Sequence, residues 1–126
     1  MHNIINYLVP TYLTTASFAE IEGPHRGFTK KSIDAAREDV AKFVSLVVLE
    51  FGVEVGNKLL DLNDNQGHYY TAADFWYCRQ HHGVGFTDRD MYNEIASNAD
   101  NRLTKIANSF TERCVFKLKN NYLIIE

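Results

Sequence analysis

Asp74, Arg79, His82 and Asp88 stand close together in one stretch of the chain, with Cys78 and His81 among them. Carboxylates, imidazoles and guanidinium groups move protons and bind anions, and a cysteine near a histidine is the pairing that activates a thiol nucleophile. An enzyme site built from Asp74, Arg79, His82 and Asp88 requires those four side chains to converge in an open pocket. A thiol mechanism requires Cys78 to meet His81 or His82, which a helical spacing of three and four permits. Cys78 lies between aromatics on an expected helix, however, where cysteine behaves as a small buried hydrophobe, so packing is its default role. His68, Asp74, Cys78, His81 and His82 are good metal-ligand types, but they form no two spaced pairs and no His-Glu-x-x-His, so neither metal nor cofactor is expected. Gly83-Val84-Gly85 lacks the third glycine, the lysine and the preceding strand of a phosphate loop. Those glycines fit a sharp turn between two helices. The simplest account makes Asp74 and Asp88, with Arg79 and Arg89, a polar clamp on that corner, with Phe75, Trp76 and Phe86 packed beneath it.

The elements that must position this stretch follow from periodicity. Thr29 is placed to cap a helix over Lys30–Phe51, in which Ile33, Ala36, Val40, Phe43, Val47 and Phe51 share one face and Gly52 stands at the end. A short helix over residues 53–62 follows, weakened by Gly56, and 63–67 is a turn by composition. Thr71 is placed to cap a short aromatic helix over 72–81 ending at Gly83, with Asp74 in a position like that of a capping box. Met91, Ile95, Ala99, Leu103, Ile106 and Phe110 trace a second long helix over 91–110, interrupted in its apolar stripe by Arg102. Residues 114–118 and 122–125 are β-rich runs around Lys119-Asn120-Asn121, a hairpin pattern. Residues 1–22 read as a short strand or a short helix. The expectation is one α+β domain over residues 1–126, mainly helical, with two long helices, a short aromatic helix and a small C-terminal β-hairpin.

With 126 residues the chain is long enough for one domain, and 45% apolar and 23% charged residues are ordinary globular usage. A formal net charge of −3 is too small to mark a nucleic-acid binder or an acidic mimic. The two cysteines suggest no disulfide scaffold, and the N-terminal residues lack the basic and apolar blocks of a signal peptide. With no apolar run long enough to span a membrane, a cytoplasmic protein is expected.

The run 74–89 is similar to the signature of a family of small bacteriophage and prophage proteins, which reads roughly Asp-Phe-Trp-Leu-Thr-Arg-x-x-His-Gly-x-Gly-Phe-Trp-Asp-Arg. Asp74, Phe75, Trp76, Arg79, His82, Gly83, Gly85, Phe86, Asp88 and Arg89 stand at the matching positions. The resemblance extends loosely to Ala35-Ala36-Arg37-Glu38-Asp39 with Phe43 and to the hairpin. The chain departs from the pattern at Ala73, where members often carry histidine, and at Thr87, where they carry tryptophan. The resemblance implies a small accessory protein made in the cytoplasm of an infected bacterium and supplies no reaction. The leading functional expectation is therefore a binding protein with a host or phage protein partner, modulating or inhibiting a host defence component. One alternative is a single-stranded nucleic-acid binder, stacking bases on Tyr69, Tyr70 or Trp76 and tracking phosphates with Arg79, Arg89, Lys117 and Lys119. The other is the Asp/Arg/His enzyme.

Overall fold

The structure, a computed structural model, describes residues 3–126. The long helix appears where the periodicity places it: α2 runs over Lys30–Phe51, with the Thr29 hydroxyl accepting from the Ser32 amide at 3.3 Å and Gly52 at its end. Its buried stripe is Ala36, Val40, Phe43 and Val47. The N-terminal segment, read as a short strand or helix, is a full helix, α1 over Ile5–Glu20. Pro10 lies inside it and removes one backbone bond, but Leu8, Val9, Tyr12 and Ala16 are all buried in the core, and that burial outweighs the loss. The two long helices are thus α1 and α2.

After α2 the chain turns back at once into α3, Val53–Leu60. Gly56 lets the two helices touch: a Cβ there would stand 3.2 Å from the Val48 Cα. The aromatic helix α4 spans Tyr70–Arg79, starting earlier than the expected 72–81. Thr71 is not its cap. Its hydroxyl donates instead to the Leu59 carbonyl at 2.6 Å, while the Tyr69 amide is taken by the Thr11 hydroxyl and the Tyr70 amide by the Leu62 carbonyl. Contacts distant in sequence have taken over the capping task.

The expected helix over 91–110 is two helices, α5 over Met91–Ile95 and α6 over Ala99–Asn108. Ala96 is extended and Asn98 adopts a left-handed backbone with φ of 56°. The Asn93 side chain accepts from the Asp100 amide at 3.0 Å and so caps α6 from across the break. Arg102, the charge that interrupted the apolar stripe, fixes the same corner by donating to the Ser97 carbonyl at 3.0 Å and to Glu50 at 2.8 Å.

The hairpin pairs β1 (Val115–Lys117) with β2 (Leu123–Ile125), antiparallel with Phe116 opposite Ile124. Phe28 bridges to the far side of β2, with the Thr29 amide donating to the Leu123 carbonyl, which seats the hairpin beside the start of α2. α1 packs on α2 and α4, and α6 closes over α4. Between them Phe43 and Phe75 stack with centroids 4.1 Å apart, Phe110 meets Phe75 edge-on, and Tyr12 meets Trp76 edge-on at 5.2 Å. Among the described residues no helix is long and apolar enough to cross a membrane.

The closeness of Gly56 to Val48 gives a direct check on the α2–α3 turn. Gly56→Leu is expected to lower unfolding free energy by about 1–3 kcal/mol through overpacking, read as a lower urea midpoint at unchanged slope.

Candidate functional site

The residues matched by the phage signature lie on α4, on the corner after it and on a short 3-10 turn, Phe86–Asp88. Helix α4 ends because His81 takes a left-handed backbone with φ of 56°, and Gly83 repeats that conformation two residues on with φ of 78°. The chain then doubles back against its own helix at Gly85, where any Cβ would sit 2.9 Å from the Cys78 sulfur. Only glycine fits there. The Asp88 carboxylate accepts the Gly85 amide at 2.8 Å and fixes the turn.

Each charged residue of the motif has its own partner within the fold. Arg79 is 1% exposed; its guanidinium donates to Asp39 of α2 at 2.6 Å, to the Tyr12 hydroxyl of α1 at 2.9 Å and to the Thr111 carbonyl. Arg113 completes the cluster from the other side, with bonds of 3.0 and 3.1 Å to the same Asp39. Buried Asp74 accepts from Arg89 at 2.8 Å and from the Tyr92 hydroxyl at 2.7 Å. Glu20, at the end of α1, takes both the Trp76 indole N–H at 2.9 Å and the His82 Nε2. No hydrogen bond or ion pair joins any two of Asp74, Arg79, His82 and Asp88 among the described residues.

The clamp at the corner therefore exists, but with different pairings from those suggested by sequence proximity. Arg79 answers Asp39 on another helix, not Asp74. Phe75, Trp76 and Phe86 are fully buried beneath it, so Trp76 presents nothing to solvent. That burial, together with the engagement of Arg79, removes both from the stacking and phosphate-tracking roles open to them in a nucleic-acid reading. Tyr70 has the Arg89 guanidinium over its ring at 4.6 Å, and Lys117 is tied to the Glu22 and Pro24 carbonyls.

Burial sets the acid–base behaviour of the cluster. It pushes the Tyr12 phenol up to about 12, against the pull of the Arg79 charge beside it. Burial first and then the Asp74 carboxylate push Tyr92 up as well. The Cys78 thiol is also raised by burial, while it contacts the Thr104 hydroxyl at 3.8 Å. A raised thiol holds its proton at neutral pH and is a poor nucleophile. It borders a small recess of about 310 Å³ with His81, Val84 and Thr104, while His81 itself lies 3.8 Å from Glu112. Among the described residues no three His, Cys, Asp or Glu side chains gather as a metal-ligand group.

The larger concavity lies elsewhere. A groove of about 1050 Å³ opens between the C-terminal half of α2, α3, α5 and the start of α1, lined by Ile4, Val44, Val48, Val53, Leu62 and Ile95 with a few polar neighbours. Val53 is 66% exposed and Leu49, one residue past Val48, is 82% exposed. Sequence reasoning missed this surface because nothing local reveals that α3 folds back so sharply against the end of α2. It also missed Glu20, Tyr12, Asp39 and Tyr92 as partners of the motif. A signal was present for two of them: Leu8, Tyr12, Ala16 and Glu20 recur every four residues, which lays them on one helical face.

Comparison with protein-family models, curated proteins and solved structures yields no match.

Two measurements probe the cluster. Arg79→Ala leaves Asp39 facing Arg113 alone and is expected to cost about 3–5 kcal/mol in urea unfolding, as for a broken buried pair. The unfolded chain releases a tyrosine proton near its ordinary pKa of 10.0, whereas folded Tyr12 holds it until about 12, so stability should fall as pH rises between these values. A flatter alkaline decline in a Tyr12→Phe, Tyr92→Phe double variant is the expected signature.

Proposed function

We propose that this chain is a small accessory protein that works by binding another macromolecule of the infected bacterial cell, host or phage, and that its contact surface is the apolar groove walled by α2, α3 and α5. One contrast supports this reading. The polar groups of the densest sequence motif are engaged inside the fold, whereas the groove and its neighbours Leu49 and Val53 leave apolar surface facing water. Contiguous exposed apolar surface with a concave shape is a common mark of an interaction site. The phage-like run from Asp74 to Arg89 supports the accessory setting; in this reading it contributes by building the corner and not by touching the partner. Modulation or inhibition of a defence component of the host by such binding fits a protein with a docking groove whose motif carboxylates, guanidinium groups and thiol are engaged within the fold.

Leu49→Asp with Val53→Asp changes two exposed positions and should leave the fold intact, with unfolding free energy within about 0.5 kcal/mol of the parent. Affinity capture from phage-infected lysate, followed by mass spectrometry, is expected to recover a partner with the parent chain and to lose it with this variant. A partner retained by the groove variant but lost with a variant elsewhere on the surface would move the site away from the groove.

A further inference from the structure

The hairpin leaves one strand edge open. Cys114 bonds Glu126 in both directions at 2.8 Å and the Leu118 amide donates to the Tyr122 carbonyl, so the strands bond at alternate residues. Val115 and Lys117 fall between and turn their N–H and C=O groups away from β2. The outer edge of β2 is used: Leu123 bonds Gly27 and Thr29, and the Ile125 amide donates to the Ser32 hydroxyl at 2.9 Å. The outer edge running into β1 is used at Arg113. There the Gln80 carboxamide accepts from the Arg113 amide and donates to its carbonyl, both at 2.7 Å, as a neighbouring strand would. Among the described residues nothing takes the outward groups of Val115 and Lys117.

A free edge is ordinarily guarded by a proline, a bulge or a charged side chain, above all lysine. The lysine of β1 gives no such guard, because its Nζ is tied back to the Glu22 and Pro24 carbonyls at 3.1 and 3.0 Å. Cys114, Phe116 and Leu118 line the face of the hairpin away from the core and are all exposed, Phe116 at 47%. Unpaired backbone groups beside apolar side chains are a template for another strand. The open stretch is short, so a flexible peptide would have to order itself for few bonds, whereas a second hairpin arrives already formed.

We infer that β1 pairs antiparallel with β1 of a second copy of this chain, Val115 opposite Lys117 in both directions, about a two-fold axis at Phe116. An antiparallel edge is self-complementary, since a residue offering its N–H and C=O outward meets one that offers the same. Gln80 fixes the register: with Arg113 already occupied, only this alignment uses both open residues of both copies. Phe116 then faces Phe116 of the second copy, and Leu118 faces Cys114, at the closely spaced positions where Cα atoms lie about 4.5 Å apart. The hairpins join into one four-stranded sheet whose outer strands, both β2, are already covered by residues 27–32, so association stops at two chains. The contact is small beside the roughly 800 Å² per partner of a standard stable interface, which makes the dimer weak and concentration-dependent.

Sedimentation velocity on the purified chain, from about 10 μM to about 1 mM, reads this directly. The weight-average sedimentation coefficient is expected to rise from monomer towards dimer with no larger species. Val115→Pro removes an outward amide that β2 does not use, and Phe116→Lys sets two like charges against each other on the axis, so both should remain monomeric. Fluorescence of the buried Trp76 verifies that each is folded, and either one suffices if the other is not. The register is read separately with Leu118→Cys. With diamide as the oxidant, the introduced thiol should couple to Cys114 of the second copy and give a covalent dimer on a non-reducing gel, and adding Cys114→Ser should abolish it. A parent chain monomeric at every concentration, a folded Phe116→Lys chain that still dimerises, or a cross-link indifferent to Cys114→Ser would each overturn the inference. So would a monomeric parent that captures a host or phage protein lost with Phe116→Lys, which would give the edge to that protein. The groove variant leaves the edge intact and the edge variants leave the groove intact, so the two readings fail separately.

Discussion

Burying the Arg79 guanidinium to 1% exposure commits the surrounding chain to neutralising it, because an unpaired ion in so dry a place would cost more than the whole stability of a domain. The answer draws on segments far apart in sequence: Asp39 from α2, Tyr12 from α1 and the Thr111 carbonyl from the stretch before the hairpin. Phe75 and Phe110 add their ring faces at 5.5 and 5.2 Å from the guanidinium carbon. Arginine suits this position where lysine would not, since its planar fork donates in several fixed directions at once. One carboxylate serves two guanidinium groups, and the surplus positive charge falls on Arg113, the more exposed of the two. Helix α4 is thereby locked in rotation, which in turn decides where Phe75 and Trp76 enter the core.

The same arrangement recurs with other residues. Asp74 holds Arg89 and Tyr92, and Glu20 holds Trp76 and His82, so three carboxylates on three helices each fix a different part of one corner. Among the described residues no buried side-chain nitrogen or oxygen lacks a hydrogen-bond partner. A polar network that is complete in this way rigidifies a core and specifies one packing, whereas an incomplete one would leave desolvated groups at a cost of about 1–3 kcal/mol each. Density of acid, base and aromatic residues in a short run is therefore a signature that catalysis shares with buried corner architecture. Convergence on an open space separates the two, and here the side chains diverge.

The alternation of apolar and polar residues was enough to place α2, the hairpin and the aromatic helix, because each of these buries a face whose period is local. What the sequence alone could not provide was every feature decided by a distant residue. Thr71 reads as a cap, but the Leu59 carbonyl takes its hydroxyl, and the α4 amides are satisfied by Thr11 and Leu62. The stripe from Met91 to Phe110 reads as one helix, since nothing local reveals that Asn93 will cap Asp100 or that Arg102 will reach Glu50. Pro10 obscured α1, though the four-residue recurrence from Leu8 to Glu20 survives it. The motif residues were legible as a unit and as a clamp; their partners were not, because Asp39 and Glu20 are some forty and sixty residues away.

Isolated hydrophobic residues at a protein surface are ordinary and call for no explanation. Val53 differs because it lines a concave wall with Val44, Val48, Leu62 and Ile95, and Phe116 and Leu118 differ because strand pairing places them side by side with Ile124 and Tyr122. Val44, Val48, Leu62 and Ile95 of the groove wall also pack against the core, but Leu49, Val53, Phe116 and Leu118 do not, and the polar network is satisfied without those four. Polar residues at those positions would cost the folded chain little and would spare it the exposure of apolar surface to water. Folding therefore gives no reason for their grouping, since scattered polar residues would serve the core as well. The charged motif builds the corner of the molecule, and the apolar surface left facing water lies away from it, towards the two ends of α2.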